Sequence, residues 1–456
     1  MDHLERTPKG IEFSRMAEAE RTSSAPPPSS DAIFRLDTAP GEAAIAAFVL
    51  DGAGLFERFA PLFRSKQTLS PGREGQLAYG SLVDAAGATV DEVVCAVVTK
   101  DRSETARAQI EVSCHGGRGT AAAVRELFEA AGFREALPGE LHARAHRAGR
   151  LSLLALEARL RLGACVTARQ LDLLLAHTNL QERWERLGME AALGLRQREI
   201  AWHAPTHTAA ADELARYEAA RRLLRTHRVL VAGPVNAGKS TLVNRLLREN
   251  ASLVSAEAGT TRDRLERPAA LRGLSLLLID SAGLRDVAGD AVERAGQAKA
   301  REAAAEADLC LLVVDGSRAP SPAEFEALAA LTARPFLLVL NKADRGLHEE
   351  AEGLAFALAA TPYRIAARDG TALEALEAAM ESALVNGAPA EPGGPFTPRQ
   401  ERTLQALKIG LEQGVDGVDL LGHIRTFVGT RPNESELDTV FREAEEAGAH
   451  AHPAQP

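Results

Sequence analysis

The chain has 456 residues, more than one typical domain contains, so we expect it to bury more than one hydrophobic core. Its 63 acidic and 53 basic residues give a formal net charge of -10, which argues against avid, nonspecific binding to nucleic acid but leaves a local basic face open. The four cysteines form no Cys-x-x-Cys pair, the opening residues are charged, and no apolar run approaches the roughly 18 residues of a membrane span, so we expect a cytoplasmic protein that is neither secreted nor embedded in a membrane.

The N-terminal part of the chain divides into a tail and a small domain. Residues 1–30 end in the polar, proline-rich stretch TSSAPPPSS, which predicts a disordered tail. From residue 31 to 147, the strand-like runs EVVCAVVTK and AQIEVSCHGG alternate with the helix-like run TAAAVRELFEAAGF. This alternation indicates a small α+β domain.

Helical and strand-rich segments follow. Residues 148–226 are dominated by Leu, Ala and Arg at helical spacing, and we predict long helices there. In residues 227–385, the short apolar runs VLVAG, LSLLLID, LCLLVVD and PFLLVLN alternate with helix-length segments, the pattern of a parallel sheet flanked by helices. Residues 386–456 return to helix through about Val428, with Thr397 as an N-cap and Gln400 as its capping-box partner, and end in a C-terminal tail. The predicted fold class is an α/β domain inserted into an α-helical domain and preceded by the small α+β domain.

A glycine-rich turn follows the first apolar run of the predicted sheet. GPVNAGKS, residues 233–240, fits the phosphate-loop pattern between a strand and a helix. In such a loop, successive backbone N–H groups and the positive end of the helix dipole converge on phosphate oxygens. Lys239 would reach the outer phosphates, and the Ser240 hydroxyl would ligate Mg²⁺. The alternative is a strand-to-helix turn that contains Lys-Ser by chance.

Three further segments favour a nucleotide site. DSAG ends at Gly283 and begins at Asp280, where a carboxylate can hold Mg²⁺ through water and a glycine N–H can sense the γ-phosphate. NKAD runs from Asn341 to Asp344, and its carboxylate can accept hydrogen bonds from the N1–H and 2-amino groups of guanine, which adenine lacks. SAEAGTTRD lies between these motifs and the phosphate loop, with Thr261 as a candidate Mg²⁺ ligand. The four motifs together predict a P-loop G domain that binds and hydrolyses GTP.

The same motifs carry a family resemblance. GPVNAGKST, AGTTRD, DSAGLRD, AVERAG and NKAD, with IEVSCHGG, GFREALPGEL and AGRLSL nearer the N terminus, resemble the MnmE/TrmE family of tRNA-modification GTPases over roughly residues 31 to 430. The resemblance implies a folate-binding N-terminal domain that forms a homodimer, a helical domain and an inserted G domain. It also implies GTP and GDP binding with Mg²⁺ and K⁺, faster hydrolysis on G-domain dimerisation, and a flavoprotein partner with which the family modifies the wobble uridine of certain tRNAs.

The resemblance assigns roles to individual residues. Asn236 matches the asparagine that ligates K⁺, and the backbone carbonyls of Ser255 and Glu257 match the loop that completes the cage around this ion. K⁺ then neutralises charge that develops between the β- and γ-phosphates. Thr260 is included among the metal ligands. Glu293 matches the catalytic glutamate, which orients the attacking water through a bridging water. From the residue alone, Asn236 is also a common turn residue.

On the guanine side, Ala366 stands where the family has a serine, while the backbone N–H of Ala367 can still meet the guanine oxygen. The predicted catalytic, nucleotide-binding and metal-binding residues of the G domain are Asn236, Ala237, Gly238, Lys239, Ser240, Thr241, Ser255, Glu257, Thr260, Thr261, Asp280, Gly283, Glu293, Asn341, Lys342, Asp344, Ala366 and Ala367.

The folate side departs from the family. Glu111 matches the glutamate of the pocket that the resemblance implies, and Arg150 stands where a lysine is usual. Val49 falls near the position of an expected arginine, and the loss of such a partner for folate carboxylates costs about 1–3 kcal/mol where the bond is buried. This argues against formyl-tetrahydrofolate as a cofactor. In addition, no cysteine follows Cys310, whereas the family ends in a Cys-x-Gly-Lys tail that the modification needs. Two functions therefore stay open, a tRNA-modifying GTPase and a regulatory GTPase switch that has lost the modification chemistry.

Overall fold

The computed structural model describes most of the chain. The described residues are 31–39, 43–73, 75, 77–197, 203–249, 266–281, 302–385, 394–413, 417–429 and 434–451. The chain divides into two compact units, Met1–Arg150 and Leu151–Pro456. The tail predicted for residues 1–30 lies outside the described residues.

The first unit is built on a seven-stranded sheet. Its strands are β1 Ile33–Leu36, β2 Ile45–Asp51, β3 Phe63–Ser65, β4 Leu77–Val83, β5 Thr89–Val98, β6 Gln109–His115 and β7 Arg134–Glu135. Its helices are α1 Leu55–Phe59, α2 Arg118–Ala130 and α3 Glu140–Arg147. The strand order is β3-β4-β5-β6-β2-β1-β7, with antiparallel neighbours except for the parallel pair β1 and β7.

One face of this sheet packs against α2. Every second residue of β6 from Ile110 onward is buried, the period-2 pattern of a strand with one face on a core. Phe128 of α2 contacts Phe34 and Phe48 of the sheet, with ring centroids 5.6 Å apart in both pairs. The predicted small α+β domain is therefore present.

The second unit combines a six-stranded sheet with helices. Its strands are β8 Thr226–Ala232, β9 Glu266–Leu271, β10 Leu274–Asp280, β11 Leu309–Asp315, β12 Phe336–Asn341 and β13 Pro362–Arg364. Its helices are α4 Leu153–Leu162, α5 Ala168–Leu175, α6 His177–Gln197, α7 His203–Leu224, α8 Lys239–Glu249, α9 Pro322–Ala329, α10 Glu349–Ala357, α11 Leu373–Val385, α12 Pro398–Glu412, α13 Gly417–Val428 and α14 Glu434–Ala451. None of the described helices has the length and apolar character needed to cross a membrane.

The six strands form a mainly parallel sheet in the order β13-β12-β11-β8-β10-β9, in which β9 is antiparallel to β10. All seven residues of β11 are buried, because helices cover both faces of the sheet. After β8 the chain forms β9 and β10 on one side of β8 and then crosses to β11 on the other side of β8. The carboxyl end of β8 is therefore a switch point of the topology, where ligands bind in open α/β sheets. The predicted α/β fold class is confirmed.

The helices before and after this sheet pack together. The rings of Trp184 on α6 and Phe427 on α13 have centroids 5.0 Å apart. Both belong to a buried cluster with Leu154 of α4 and Leu407 of α12. This packing agrees with insertion of the sheet into a helical domain. The predicted domain limits at residues 147, 226 and 385 stay predictions.

The helix predicted to start at Thr397 has the expected N-cap but not the expected capping box. Thr397 Oγ1 accepts a hydrogen bond from the Gln400 N–H at 3.2 Å, so Thr397 is the N-cap. Gln400 Oε1, however, accepts from the N–H of Phe396 at 2.8 Å. Gln400 Nε2 donates to Glu157 on α4 at 2.6 Å, which orients the amide toward that helix and away from a reciprocal capping box.

A tight turn of the sheet contacts α5. Arg272 and Gly273 join β9 to β10 with φ values of 47° and 83°, and a type I′ hairpin turn requires two positive values. Thr167, the N-cap of α5, donates its hydroxyl hydrogen to the Gly273 carbonyl at 2.7 Å. Glu381 of α11 accepts from Arg272 at 2.7 Å and also from Arg169 of α5. The side chains of Thr167, Arg169 and Glu381 therefore hold the turn against α5.

Candidate nucleotide-binding site

The predicted phosphate loop connects β8 to α8. Residues 233–238 follow Ala232, and α8 begins at Lys239. The ammonium group of Lys239, whose side chain is buried, donates to the carbonyls of Gly233 and Pro234 at 3.0 and 2.8 Å. A positive charge is thus held against the loop, beside the N–H groups of the first helical turn, which have no partner within the helix. These groups together can bind phosphate oxygens.

Asn341 joins the predicted phosphate loop to the predicted guanine side of the site. It ends β12 and is 3% exposed. Its Nδ2 donates to the Ala237 carbonyl at 2.8 Å, and its Oδ1 accepts from the Ala367 N–H at 3.0 Å. Gly238 has a φ of 93°, and a Cβ at this position would lie 2.2 Å from Asn341 Nδ2, so both the backbone and the close side chain require glycine. The side chain of Asn341 therefore sets the distance between the phosphate loop at Ala237 and the segment at Ala367.

Ser240 and Asp280 meet where Mg²⁺ is expected. Ser240 Oγ donates to Asp280 Oδ2 at 2.7 Å. Mg²⁺ prefers oxygen ligands and usually takes few from the protein, the others coming from phosphate and water. Among the described residues, no three or more His, Cys, Asp or Glu side chains are grouped so that they could hold a metal ion. The hydroxyl and the carboxylate fit Mg²⁺.

The segment predicted to select guanine is a short turn after β12. Ala343–Arg345 forms one turn of 3₁₀ helix, whose first N–H donates to the Ile365 carbonyl at 3.0 Å. Asp344 lies on this turn and is exposed, so its carboxylate is accessible to a base. Ala366 and Ala367 are buried directly after Ile365. The predicted guanine-side residues are therefore brought together at the edge of the sheet that carries the phosphate loop.

A carboxylate that the sequence motifs did not indicate lies beside this turn. Asp315, the last residue of β11, is 8% exposed and pairs in register with Asn341. Its Oδ2 accepts from Lys342 Nζ at 2.7 Å, and its Oδ1 accepts from the N–H and the hydroxyl of Ser317 at 3.0 and 2.6 Å. Burial raises the pKa of Asp315, but these hydrogen bonds and the Lys342 charge outweigh burial and leave that pKa below its usual value. Asp315 ends an apolar strand, as Asp280 does, and this signal could have identified it.

The structure describes only some of the remaining predicted residues of the site. Asn236 lies in the phosphate loop with a φ of 62°, and Thr241 lies in the first turn of α8. The predicted residues that fall outside the described ranges are Ser255, Glu257, Thr260, Thr261, Gly283 and Glu293. The roles of these six residues stay predictions.

The first unit carries a polar cavity of about 250 Å³ on its sheet. Glu111 lines this cavity, whereas Arg150 does not. Val49 also lines it and is buried in an apolar cluster with Ile33 and Leu141. Val49 is therefore an apolar contact at the position where the family resemblance leads us to expect an arginine, while Arg35 and Arg102 line the same cavity.

Comparison with known proteins identifies the family. Residues 228–342 match the family model described as 50S ribosome-binding GTPase, and residues 32–150 match the model described as GTP-binding protein TrmE N-terminus. A tRNA modification GTPase MnmE of Syntrophotalea carbinolica is 32% identical over 384 residues, which are 78% of this chain and 82% of the relative. The protein of the same name from Moorella thermoacetica is 30% identical over 453 residues, 90% of this chain and 98% of the relative.

Among solved structures, Aquifex aeolicus Era is 23% identical and matches 40% of this chain and 66% of its own chain with a TM-score of 0.29. The matches to the two MnmE relatives extend along most of both chains, and the residues that match the GTPase family model include the phosphate loop, Asp280 and Asn341. The predicted family is confirmed: this chain belongs to the MnmE family of tRNA modification GTPases.

Proposed function

We propose that this chain binds GTP with Mg²⁺, hydrolyses it to GDP and phosphate, and uses this cycle in tRNA modification. The observation that carries the proposal is the side chain of Asn341, which bonds to the phosphate loop at Ala237 and to the guanine side at Ala367. Both halves of a nucleotide site are thereby joined at one edge of the sheet. A strand-to-helix turn with a chance Lys-Ser pair would have no such second half.

Each described side chain has a distinct part in this reaction. Lys239 would bind outer phosphate oxygens and neutralise the charge that develops on them. Ser240 would ligate Mg²⁺ directly and Asp280 through water, and the ion supplies charge neutralisation at the phosphates. Asp344 would accept hydrogen bonds from the N1–H and 2-amino groups of guanine. Adenine would leave that acceptor unpaired, so the site favours GTP over ATP.

We further propose that K⁺ assists hydrolysis. Asn236 has the left-handed backbone conformation, which asparagine tolerates better than most residues. The family resemblance implies that this asparagine is a K⁺ ligand. The carbonyls of Ser255 and Glu257, with Thr260, would complete the ion's surroundings. Glu293 would orient the attacking water. Pairing of two G domains would complete the K⁺ site and raise the rate of hydrolysis.

Family membership also supports a proposal on partners and organisation. The chain would act in the cytoplasm as a homodimer formed through its N-terminal domain, residues 31–147. A flavoprotein and a tRNA with a wobble uridine would be its partners. Residues 148–226 and 386–456 would form the helical domain, into which the G domain of residues 227–385 is inserted.

Folate does not fit the cavity of the first unit in the way that the family resemblance implies. Val49, in its buried apolar cluster, offers no cation to folate carboxylates, Arg150 does not line the cavity, and the arginines that do line it, Arg35 and Arg102, are not the ones that the resemblance implies. We therefore assign no step to formyl-tetrahydrofolate. The same observation favours a second candidate function, a regulatory GTPase switch on this scaffold that hydrolyses GTP without modifying tRNA.

Binding and turnover of GTP by the purified chain with Mg²⁺ test the first proposal. We expect Lys239→Ala to abolish nucleotide binding, and Glu293→Ala to bind GTP normally but to turn it over more slowly. Lys408→Ala on α12 is the control for removal of a lysine charge; it loses an ion pair with Glu412 at 4.0 Å and should behave as the unaltered chain. Absence of GTP binding by the unaltered chain would refute the proposed function. Equal rates in K⁺ and Na⁺ would remove the K⁺ role alone.

The two candidate functions differ in their effect on tRNA. Mass spectrometry of tRNA from cells with and without this gene measures modification of the wobble uridine. Loss of the modification in cells that lack the gene would support tRNA modification. Unchanged modification, together with GTP hydrolysis in vitro, would support the regulatory switch.

A further inference from the structure

Asp315 holds the side chain of Lys342 at a fixed place. The distance between Asp315 Oδ2 and Lys342 Nζ is 2.7 Å, and the side chains are 10% and 23% exposed, so solvent screens the pair only in part. Both bonds from Ser317 go to the other carboxylate oxygen and orient it. A hydrogen bond between an ammonium and a carboxylate is stronger than one between neutral groups. The carboxylate is therefore a fixed anchor for Lys342.

The backbone of Lys342 needs such an anchor. Lys342 has φ 65° and ψ 32°, the left-handed region, which is unfavourable for a residue with a Cβ. It lies between Asn341, which joins the two loops, and the turn that carries Asp344. Because the backbone direction at Lys342 sets where this turn begins, release of its side chain would let the turn move relative to Asn341.

We propose that Asp315 is a positioning residue for guanine selection, which acts through Lys342 on the orientation of Asp344. The inference rests on the proposed GTP site and assigns to it a residue outside the four nucleotide motifs. Asp315 does not contact the base. It keeps the turn in the orientation in which the Asp344 carboxylate meets the N1–H and the 2-amino group of guanine together.

Inosine triphosphate is a suitable probe, because its base keeps the N1–H and lacks the 2-amino group. The ratio of the dissociation constants for inosine triphosphate and GTP therefore measures how well Asp344 meets the second N–H group. We expect Asp315→Ala to lower this preference for GTP by about tenfold, the scale of one hydrogen bond to a charged group. The affinity for inosine triphosphate should fall less than the affinity for GTP.

Asp308 provides a matched control at the other end of the same strand. It directly precedes β11 and accepts hydrogen bonds from Arg225 at 2.8 Å and from the Arg228 N–H at 2.9 Å. Asp308→Ala therefore removes a similarly bonded carboxylate from the same sheet. It should lower the melting temperature without changing the preference for GTP. If both alanine variants lowered the preference equally, Asp315 would have only a structural role and the inference would be overturned.

Two further variants define the route through Lys342. Asp315→Asn keeps the size of the side chain and removes its charge, so it should lower the preference even if Asp315→Ala does not fold. The double variant Asp315→Ala with Lys342→Met should show the same preference as Lys342→Met alone, and additive losses would contradict action through Lys342. Failure of the unaltered chain to bind GTP would refute the proposed function. Normal binding by that chain, with an unchanged preference in both Asp315 variants, would overturn this inference alone.

Discussion

Arg399 of α12 and Glu157 of α4 are 242 residues apart in the chain and form a buried ion pair with two hydrogen bonds. Arg399 Nε and Nη2 donate to Glu157 Oε1 and Oε2, both at 2.8 Å, and the side chains are 5% and 2% exposed. Thr397 Oγ1 and Gln400 Nε2 donate to the same carboxylate at 2.8 and 2.6 Å. Glu157 lies before the inserted sheet and Arg399 after it. The pair therefore joins the two segments of the helical region.

Glu157→Gln should destabilise the helical region, because it removes the charge that bonds the buried guanidinium of Arg399 at two points and leaves the more distant Glu436, 3.9 Å from Arg399 Nη1. Loss of one partner of a buried pair costs about 3–5 kcal/mol. Urea denaturation followed by tryptophan fluorescence measures this, since Trp184 packs in the same helical core. The double variant Glu157→Gln with Arg399→Met removes both charges of the pair, keeps an amide oxygen as acceptor for Thr397 and Gln400, and should recover part of the loss. A double variant no more stable than Glu157→Gln would count against the electrostatic explanation.

Ser240→Ala should weaken the Mg²⁺-dependent part of nucleotide binding, because it removes the hydroxyl that contacts Asp280. We expect GTP affinity to fall about tenfold with Mg²⁺ and to stay unchanged in EDTA. Titration of a fluorescent GTP analogue under both conditions measures the two affinities. Ser240→Thr keeps the hydroxyl and should retain Mg²⁺-dependent binding. Equal losses with and without Mg²⁺ would show that the hydroxyl does not serve the metal.

His227 should make the stability of the second unit sensitive to acid. It is fully buried in β8, and its Nε2 donates to the Arg222 carbonyl at 2.8 Å. Burial, and then the charge of Arg225, lowers the pKa of His227 to about 4. Because the unfolded chain has a histidine pKa of about 6.5, it takes up the proton first as the pH falls. The stability from neutral His227 is complete above about pH 6.5 and decreases by up to roughly 3 kcal/mol as the pH falls to about 4.

The variant His227→Gln keeps a hydrogen-bond donor and removes the titrating group. The free energy of unfolding of both proteins should be measured from about pH 7.5 down to about pH 4, so that carboxylates common to both cancel in the difference. The unaltered chain should lose its advantage over the variant in this range. A difference that does not change with pH would contradict the role of His227.

The nucleotide site was predictable because its groups lie on short, continuous segments. Lys239 and Ser240 follow a glycine loop, and Asp280 and Asn341 each end an apolar strand. Parallel strands bring their carboxyl ends to one edge, so the spacing along the chain and the type of sheet predict that these groups come together. The structure has them at that edge, and Asn341 bonds directly to the phosphate loop.

Contacts between distant segments were not predictable in this way. Glu157 and Arg399 belong to no common motif, and their pairing depends on how the helices pack. The sequence at Gln400 is that of a capping box, but the buried carboxylate of Glu157 offers its amide a charged acceptor. Asp315 lies in none of the four nucleotide motifs, and the NKAD motif does not indicate that its lysine, Lys342, pairs with a carboxylate on the neighbouring strand.

The hairpin of β9 and β10 has its turn on α5, and β10 ends at Asp280 of the candidate nucleotide-binding site. Thr167 holds the turn at Gly273, where a Cβ would lie 2.8 Å from a side-chain carbon of Arg169, so the contact leaves no room for a larger residue. The seven residues of β10 lead from this turn to Asp280, an arm of roughly 20 Å at about 3.3 Å per residue. If Asp280 shifts when the γ-phosphate leaves, β10 would rotate about its turn, which is held on α5. Nucleotide turnover would then exert a torque directly on the helical region.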